Sequence, residues 1–214
     1  MARHLDKAGV ALVVSMTIFN FFAVIAVALR FYVLRFRGRQ MKTHDYLCVI
    51  SLVTLFAYST VMLIGTVDGG LGLHIWEVTA VQLDLSLKTF FASQFFWAVS
   101  IASFRLSILL LYLDLFAVSK KFQWAAWAGI GIVCSFFIGS IATSLSLCQP
   151  VAFDWDKTIS GYCGDEAKAE LVAAAFNMAL DVVIVMLPLP VIWHLQLPTR
   201  KKVGISVTFG PGLG

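Results

Sequence analysis

Long apolar runs separated by short polar segments make up most of the chain. Five such runs reach about 20 residues or more, and most charged residues fall between them. An α-helix rises ~1.5 Å per residue, so about 20 residues cross the roughly 30 Å hydrocarbon layer of a bilayer. The pattern therefore predicts an all-α fold, a polytopic transmembrane helix bundle with five complete spans at about 10–30, 46–67, 90–113, 124–147 and 171–194.

We interpret residues 1–202 as one transmembrane domain. A further apolar run begins at Val203 and ends in the glycine- and proline-rich stretch 210–214. This run is too short to cross a bilayer, which takes about 20 residues. Residues 203–214 are therefore expected to be the truncated start of a sixth span.

Composition supports lipid as the solvent of this chain. Hydrophobic residues make up 60% of it and charged residues 13%, against about 45–50% and about 25% in soluble domains. The net charge of +4 comes from short basic clusters between apolar runs. Such clusters are typical of orientation signals and not of a nucleic-acid surface, so we expect a lipid bilayer as partner and no nucleic acid.

The distribution of cations predicts which side of the membrane each loop faces. Three alternate polar segments hold ten lysines and arginines: Arg30, Arg35, Arg37, Arg39, Lys42, Lys120, Lys121, Arg200, Lys201 and Lys202. The segments of the other side hold Lys88, Lys157 and Lys168. Because basic loops stay in the cytoplasm, the N-terminus is predicted outside, in the plasma membrane, with the basic loops available to a cytoplasmic signalling partner.

The first apolar run also has features of a cleaved signal peptide. Arg3 and Lys7 precede it, and Ala26-Val27-Ala28 imitates a cleavage site. A signal h-region spans only about 7–15 residues, and cleavage would release the arginine-rich segment outside. We therefore favour an uncleaved span.

The third predicted span carries polar groups on two sides. Its serines share one face: Ser93, Ser100, Ser103 and Ser107. Gln94 and Arg105 share a roughly opposite face. A polar face turned to lipid would be unsatisfied, so this helix is predicted at the centre of the bundle. Arg105 either snorkels to the inner interface or forms an internal pair or ligand contact.

The fifth predicted span carries Asn177 and Asp181 one turn apart near its middle. An aspartate there costs about 2.5–3.5 kcal/mol on insertion scales, so it should face the bundle interior, with Arg105 as the nearest partner. Arg105, Asn177, Asp181 and Gln94 are thus the candidate ligand or helix-interior polar residues. A functional role and a structural hydrogen bond between helices both remain open.

Two further patterns concern packing and covalent structure. Gly131, Ser135, Gly139 and Thr143 recur every fourth residue, which predicts a face that another helix approaches closely. Cys148 and Cys163 bracket a loop predicted outside, where oxidising conditions permit a disulfide that stabilises by about 3 kcal/mol. Two free cysteines are the alternative, and no histidine nearby suggests a metal site.

Several motifs in this order resemble the fungal rhodopsin-like domain of seven-helix membrane proteins, a group that includes pathogenicity-related receptor-like proteins. They are RFYVLRFRGRQMKTHDY, GGLGLHIWEV, FRLSILLLYLDLF, CQPVAFDWD with GYCGD, and NMALDVVIVMLPLPVIWHLQLPTRKK. The resemblance implies a seven-helix receptor-like fold, of which five helices lie here. Family members typically have an acidic pair at His44-Asp45, a lysine at Arg105 and an arginine at Asp114.

These observations favour receptor-like sensing of an unknown extracellular ligand. A transporter that uses Asp181 and Arg105 in a substrate or proton path is the alternative. No lysine lies deep in a span, so retinal is not expected and we predict no cofactor. His4, His44, His74 and His194 are scattered along the chain, and no catalytic residues can be assembled, so no enzyme is predicted.

Overall fold

A computed structural model describes residues 7–36, 38, 40–71, 78–116 and 120–190. In these ranges five helices are long and apolar enough to cross a membrane. They are α1 (Lys7–Phe36), α2 (Thr43–Val67), α3 (Ala80–Leu115), α4 (Lys120–Ser146) and α5 (Glu166–Met186). A short antiparallel pair, β1 (Cys148–Gln149) and β2 (Tyr162–Cys163), encloses a 3-10 turn at Val151–Asp154. The all-α bundle predicted from the sequence is confirmed.

The connections place alternate loops at opposite ends of the bundle. We call the end where α1 passes to α2 and α3 to α4 the basic end, since it carries Arg35, Lys42, Lys120 and Lys121. The opposite end, where α4 passes to α5 through the β1–β2 loop, is the disulfide end. Lys42 at the start of α2 contacts Asp114 at the end of α3, which shows that these helices are antiparallel.

Helix α3 lies at the centre, as its two polar faces predicted. In the most apolar 18-residue stretch of α3, 33% of the residues are buried, whereas 0% are buried in the corresponding stretch of α1. Its serine face packs on α2, where Ser100 Oγ donates to the Ser51 carbonyl at 2.9 Å and Ser107 Oγ to the His44 carbonyl at 2.6 Å. Hydrogen bonds between helices hold this interface together because hydrophobicity drives no association in lipid.

Close approach of α2 and α3 also depends on Gly65. A Cβ built there would lie 2.5 Å from Thr89 Oγ1 on α3. Any larger side chain would therefore push the two helices apart near the disulfide end.

Helix α3 begins ten residues before the position predicted from hydropathy. Lys88, which the sequence predicted in a segment between spans, lies instead in the first turns of α3 and pairs with Asp84 at 2.8 Å. Thr79 caps the helix and forms a capping box with Gln82. At ~1.5 Å per residue the helix is about 54 Å long, well beyond the hydrocarbon layer. Hydropathy detects only the part of a helix that lies in lipid, whereas capping residues determine where it begins.

Helix α5 is likewise displaced from the predicted 171–194. It begins after Asp165, whose carboxylate accepts a hydrogen bond from the Lys168 N–H at 3.1 Å, and ends at Met186 before the buried Pro188. Its predicted end at His194 lies outside the described residues. The cluster 200–202, the predicted sixth-span start at 203–214, and Arg37 and Arg39 also lie outside them.

The small-residue stripe of α4 does not pack as predicted among the described helices. Gly131, Ser135, Gly139 and Thr143 are exposed, and a Cβ at either glycine would meet nothing within 4 Å. Instead α4 packs on α3 through a neighbouring face with Phe122, Ala126 and Val133. Small-residue spacing shows that a face permits close approach but carries no information about which helix approaches it.

Candidate functional site

A cavity of ≈ 400 Å³ lies between α2, α3, α4 and α5, in the half of the bundle nearer the disulfide end. Its size falls in the roughly 300–1,000 Å³ range of small-molecule pockets. Three parts can be distinguished: a polar floor at Arg105, aromatic walls, and a mouth at Gln94 and Glu170. Mostly apolar walls with few polar groups are typical of ligand sites.

The floor is an ion pair between α3 and α5. Arg105 Nε lies 2.9 Å from Asp181 Oδ1, and Arg105 Nη2 donates to the Asn177 carbonyl at 3.1 Å. Arg105 is only 2% exposed, so it does not snorkel to the membrane interface. Asp181 is 57% exposed among the described helices, and pairing with Arg105 reduces the cost of keeping its charge at this depth.

Polar groups on α3 and α5 also meet at the mouth. Gln94 Nε2 donates to Glu170 Oε1 at 3.3 Å. Deeper on α5, Asn177 Nδ2 donates to the Ala173 carbonyl at 3.0 Å, while Asn177 Oδ1 is buried and accepts no hydrogen bond from the described residues. The cavity therefore offers acceptors at two depths.

Aromatic rings from three helices form the walls. The lining rings are Tyr58, Phe90, Phe95, Trp97, Phe136 and Phe137. Tyr58 of α2 and Trp97 of α3 lie 5.4 Å apart between ring centroids, which closes the cavity on the α2 side. These rings provide a large apolar surface with electron-rich faces.

Of the four predicted polar residues, three line this cavity. Gln94 is at the mouth, Arg105 is at the floor and Asn177 is between them, while Asp181 lies behind Arg105. Sequence reasoning missed Glu170. Its signal is nonetheless present, since positions 170, 173, 174 and 177 follow the i, i+3, i+4, i+7 spacing of one helix face.

The loop at the disulfide end is anchored beside this cavity. The predicted Cys148–Cys163 disulfide is present and joins β1 to β2. Trp155 from the loop packs on Phe91 of α3 at 5.1 Å between ring centroids. Asp154 lies close to both sulfur atoms, but a disulfide has no thiolate to bind a metal ion.

Acidic groups in and beside this loop are held in the ionised form. The Thr158 hydroxyl and then its backbone N–H donate to Asp156 and lower the pKa of that carboxyl below its usual value. Hydrogen bonds from the side chain and backbone of Lys168 lower the pKa of Asp165 in the same way. Both groups are fully charged at neutral pH.

A second polar cluster, missed from the sequence, joins α1, α2 and α3 at the basic end. We call it the basic-end network, and its members are Arg30, Lys42, His44, Asp45, Ser107 and Asp114. Arg30 reaches across from α1, with Nε 3.0 Å from Asp45 Oδ1 and Nη1 donating to Ser107 Oγ at 3.0 Å.

The remaining contacts of the network tie α2 to the end of α3. Lys42 Nζ lies 2.7 Å from Asp114 Oδ2, and His44 Nδ1 lies 3.5 Å from the same oxygen. His44 Nε2 is 3.5 Å from Asp45 Oδ1. His44 and Asp45 are buried, so these partners replace the water that their polar groups would otherwise contact. The helical spacing of the serines predicted that Ser107 is buried. The spacing along the chain did not predict that Arg30 and Asp114 join the same network.

Comparison with known families completes this description. The fungal rhodopsin domain matches residues 29–214, which include all five helices in whole or in part. The chain belongs to this fungal rhodopsin family. The resemblance inferred from its motifs is thereby confirmed. No solved structure shows a significant match to the chain.

Named relatives of this fungal rhodopsin chain are fungal. A SAT4 family membrane protein of Emericella nidulans is 32% identical over 150 residues, covering 67% of this chain and 38% of the relative. The polyenoic acids biosynthesis gene cluster protein Ba17b of Metarhizium anisopliae is 25% identical, covering 95% and 57%. Receptor GIN3 of Arthrobotrys oligospora is 22% identical, covering 91% and 47%. The chain thus spans between about two fifths and three fifths of these relatives' length.

Two departures of this chain from the fungal rhodopsin pattern lie in contact. The resemblance of the motifs implies an acidic residue at position 44, where this chain has a histidine, and an arginine at position 114, where it has an aspartate. His44 Nδ1 and Asp114 Oδ2 are 3.5 Å apart. Together with the Lys42–Asp114 pair, this contact ties the start of α2 to the end of α3.

Proposed function

We propose that this fungal rhodopsin chain is a receptor-like protein of the plasma membrane, without enzymatic activity, that binds a small extracellular molecule in the cavity. The observation that carries this proposal is an aromatic cavity near the disulfide end whose floor is the Arg105–Asp181 pair. The relative named receptor GIN3 supports the same class of function.

Charge supports an orientation with the disulfide end and the N-terminus outside. At the basic end, Arg35, Lys120 and Lys121 carry the cations expected of a cytoplasmic face. At the disulfide end, Asp156 and Asp165 offset Lys157 and Lys168, and the disulfide suits an oxidising compartment. In this orientation the cavity lies in the outer half of the bundle.

Helix α3 provides a physical route between the two ends. Arg105 on one face forms the cavity floor, and Ser107, two residues later, joins the basic-end network on the opposite face. A ligand that shifts Arg105 would shift Ser107 with it, because both belong to one rigid helix. We propose that the basic end passes this change to a cytoplasmic signalling partner.

Retinal is not part of this proposal. A Schiff base needs a lysine, and the residues that line this cavity include Arg105 and Glu170 as charged groups but no lysine. Light sensing is therefore not part of the proposal.

Transport is the second candidate because Asp181 and Arg105 are charged groups within spans. One relative is named for the polyenoic acids biosynthesis gene cluster, which leaves room for a role in handling a metabolite. Against transport, Arg105 engages Asp181 directly, and the basic-end network closes the inner ends of α1, α2 and α3. A receptor needs only the binding step.

Binding in the cavity is tested by filling it with a larger side chain. Ala174 lines it, whereas the neighbouring Ala175 does not, so Ala174→Trp and Ala175→Trp are a matched pair on α5. The protein in nanodiscs is titrated with dansyl-labelled lipophilic amines and acids. We expect saturable binding by the wild type and Ala175→Trp, and at least tenfold weaker binding by Ala174→Trp.

Proteoliposomes distinguish the two candidates. A receptor binds the probe without accumulating it in the lumen, with or without a proton gradient. Accumulation that Asp181→Asn abolishes would establish transport instead. Binding that Ala174→Trp leaves unchanged would reject the cavity as the site.

A further inference from the structure

The two charged side chains that line the cavity differ in how their charge is compensated. Among the described lining residues, Arg105 and Glu170 carry full charges. Arg105 is neutralised by Asp181, and its Nε and Nη2 groups are directed into the floor. Glu170 contacts Gln94 and pairs with no lysine or arginine in the described part of the chain. The site therefore retains one uncompensated negative charge, at its mouth.

Three polar side chains that line the cavity already donate a hydrogen bond within their own helices. Asn177 Nδ2 donates to Ala173, Ser93 Oγ to Phe90 and Ser140 Oγ to Phe137, each to a backbone carbonyl. Asn177 Oδ1 accepts nothing. A ligand that pairs with Glu170 and with Asn177 Oδ1 must supply hydrogen-bond donors, one near Glu170 and one deeper. The two acceptors are seven residues apart on α5, about 10.5 Å along its axis.

The walls and the surroundings of the mouth favour the same ligand charge. Aromatic faces attract ammonium groups within about 6 Å of the ring centroid. An anion would be repelled by Glu170 and would find Arg105 already paired.

Resting on the receptor function proposed above, we infer that the cavity binds a lipophilic amine in its protonated form. Its ammonium group lies at the Glu170 carboxylate, its apolar body lies among the rings of Phe90, Phe95 and Trp97, and a second N–H or O–H group reaches toward Asn177 Oδ1. A bilayer lipid chain would fill the same walls but would leave both acceptors unsatisfied.

The experiment compares two probes that differ in charge. Dansylcadaverine carries a primary amine, and N-dansyl-6-aminohexanoic acid carries a carboxylate on a similar linker with the same fluorophore. Binding to the full chain in nanodiscs of neutral lipid is measured by fluorescence, with empty nanodiscs subtracted. We expect the amine to bind at least tenfold more tightly than the acid at neutral pH.

Variants of exposed acidic residues keep the test independent of folding. Glu170→Gln should weaken amine binding about five- to tenfold, the loss of one partly solvated ion pair, and Glu170→Lys should reverse the preference. Asp156→Asn removes an acid from the same end of the bundle but outside the cavity, and should leave the ratio of affinities unchanged.

Each other result overturns the inference in a recognisable way. Equal binding of both probes, still abolished by Ala174→Trp, would refute the amine preference and leave the proposed receptor site standing. No saturable binding of either probe would refute both proposals. A preference unaffected by Glu170→Gln would show that a different group recognises the amine.

Discussion

At the scale of single residues, charged side chains within lipid decide the architecture. Arg105 and Asp181 were each identifiable from the sequence because an ionised group inside an apolar run demands a partner, and the structure places them 2.9 Å apart. Glu170 was not identified, since it lies near the end of a helix, where a charged side chain costs little free energy and needs no partner. Its proximity to Gln94 arises only when α3 and α5 pack.

Removing either member of the Arg105–Asp181 pair should destabilise the bundle. Arg105→Leu leaves Asp181 charged and without its partner, which we expect to cost about 2 kcal/mol, or roughly 4–8 °C in Tm. This is below the ~3–5 kcal/mol of a fully buried pair, because Asp181 is 57% exposed. Thermal unfolding of the protein in nanodiscs measures the effect.

Two further variants separate the pair from general disruption. Arg105→Leu combined with Asp181→Leu removes both charges and should recover most of the lost stability. Arg35→Leu removes an exposed arginine of α1 and should change Tm by no more than about 1 °C. A double variant less stable than Arg105→Leu would contradict the ion-pair account.

At the scale of elements, hydropathy located all five helices but not their ends. Helix α3 extends from 80 to 115 because Thr79 and Gln82 cap it and because Asp84 and Lys88 support each other outside lipid. The small-residue stripe of α4 has the opposite shortcoming. Its spacing is present in the sequence, but the spacing did not predict which helix packs on it. Caps and partners depend on local hydrogen bonds and on the packing of whole helices, which periodicity does not contain.

The attraction between the ends of α2 and α3 provides an element-scale prediction. Asp114→Arg places a cation beside Lys42 and His44 and should lower stability by about 0.5–1 kcal/mol, since Asp114 and Lys42 are partly exposed. His44→Asp in the Asp114→Arg background restores an opposite-charge pair and should recover part of the loss. Thermal unfolding at low and high salt measures both effects.

The salt dependence of stability provides the control for the Asp114→Arg and His44→Asp variants. Destabilisation by Asp114→Arg should shrink in high salt, because the repulsion is partly screened. If the double variant were less stable than Asp114→Arg alone at both salt concentrations, positions 44 and 114 would not form a compensating pair.

At the scale of the whole molecule, a few features of the sequence determine the arrangement. Basic clusters in alternate loops predicted the two ends, and polar residues on both sides of α3 predicted its central place. The cavity could not be predicted, because its walls are aromatic residues on three helices that have no common spacing in the chain. Likewise, the basic-end network joins Arg30 to Ser107, 77 residues away.

Photolabelling of intact cells tests most directly the claim that a cavity open to the exterior lies between α3 and α5. A lipophilic amine that carries a diazirine is added outside cells or to inverted membranes. Its N-acetyl derivative, which has no ammonium charge, is added in the same way as the control. Labelled peptides are mapped by mass spectrometry. We predict label in residues 90–105 and 170–177 with external addition, suppressed by Ala174→Trp. Label concentrated on residues 18–29 of α1, which do not line the cavity, or equal labelling from the inner side, would contradict the account.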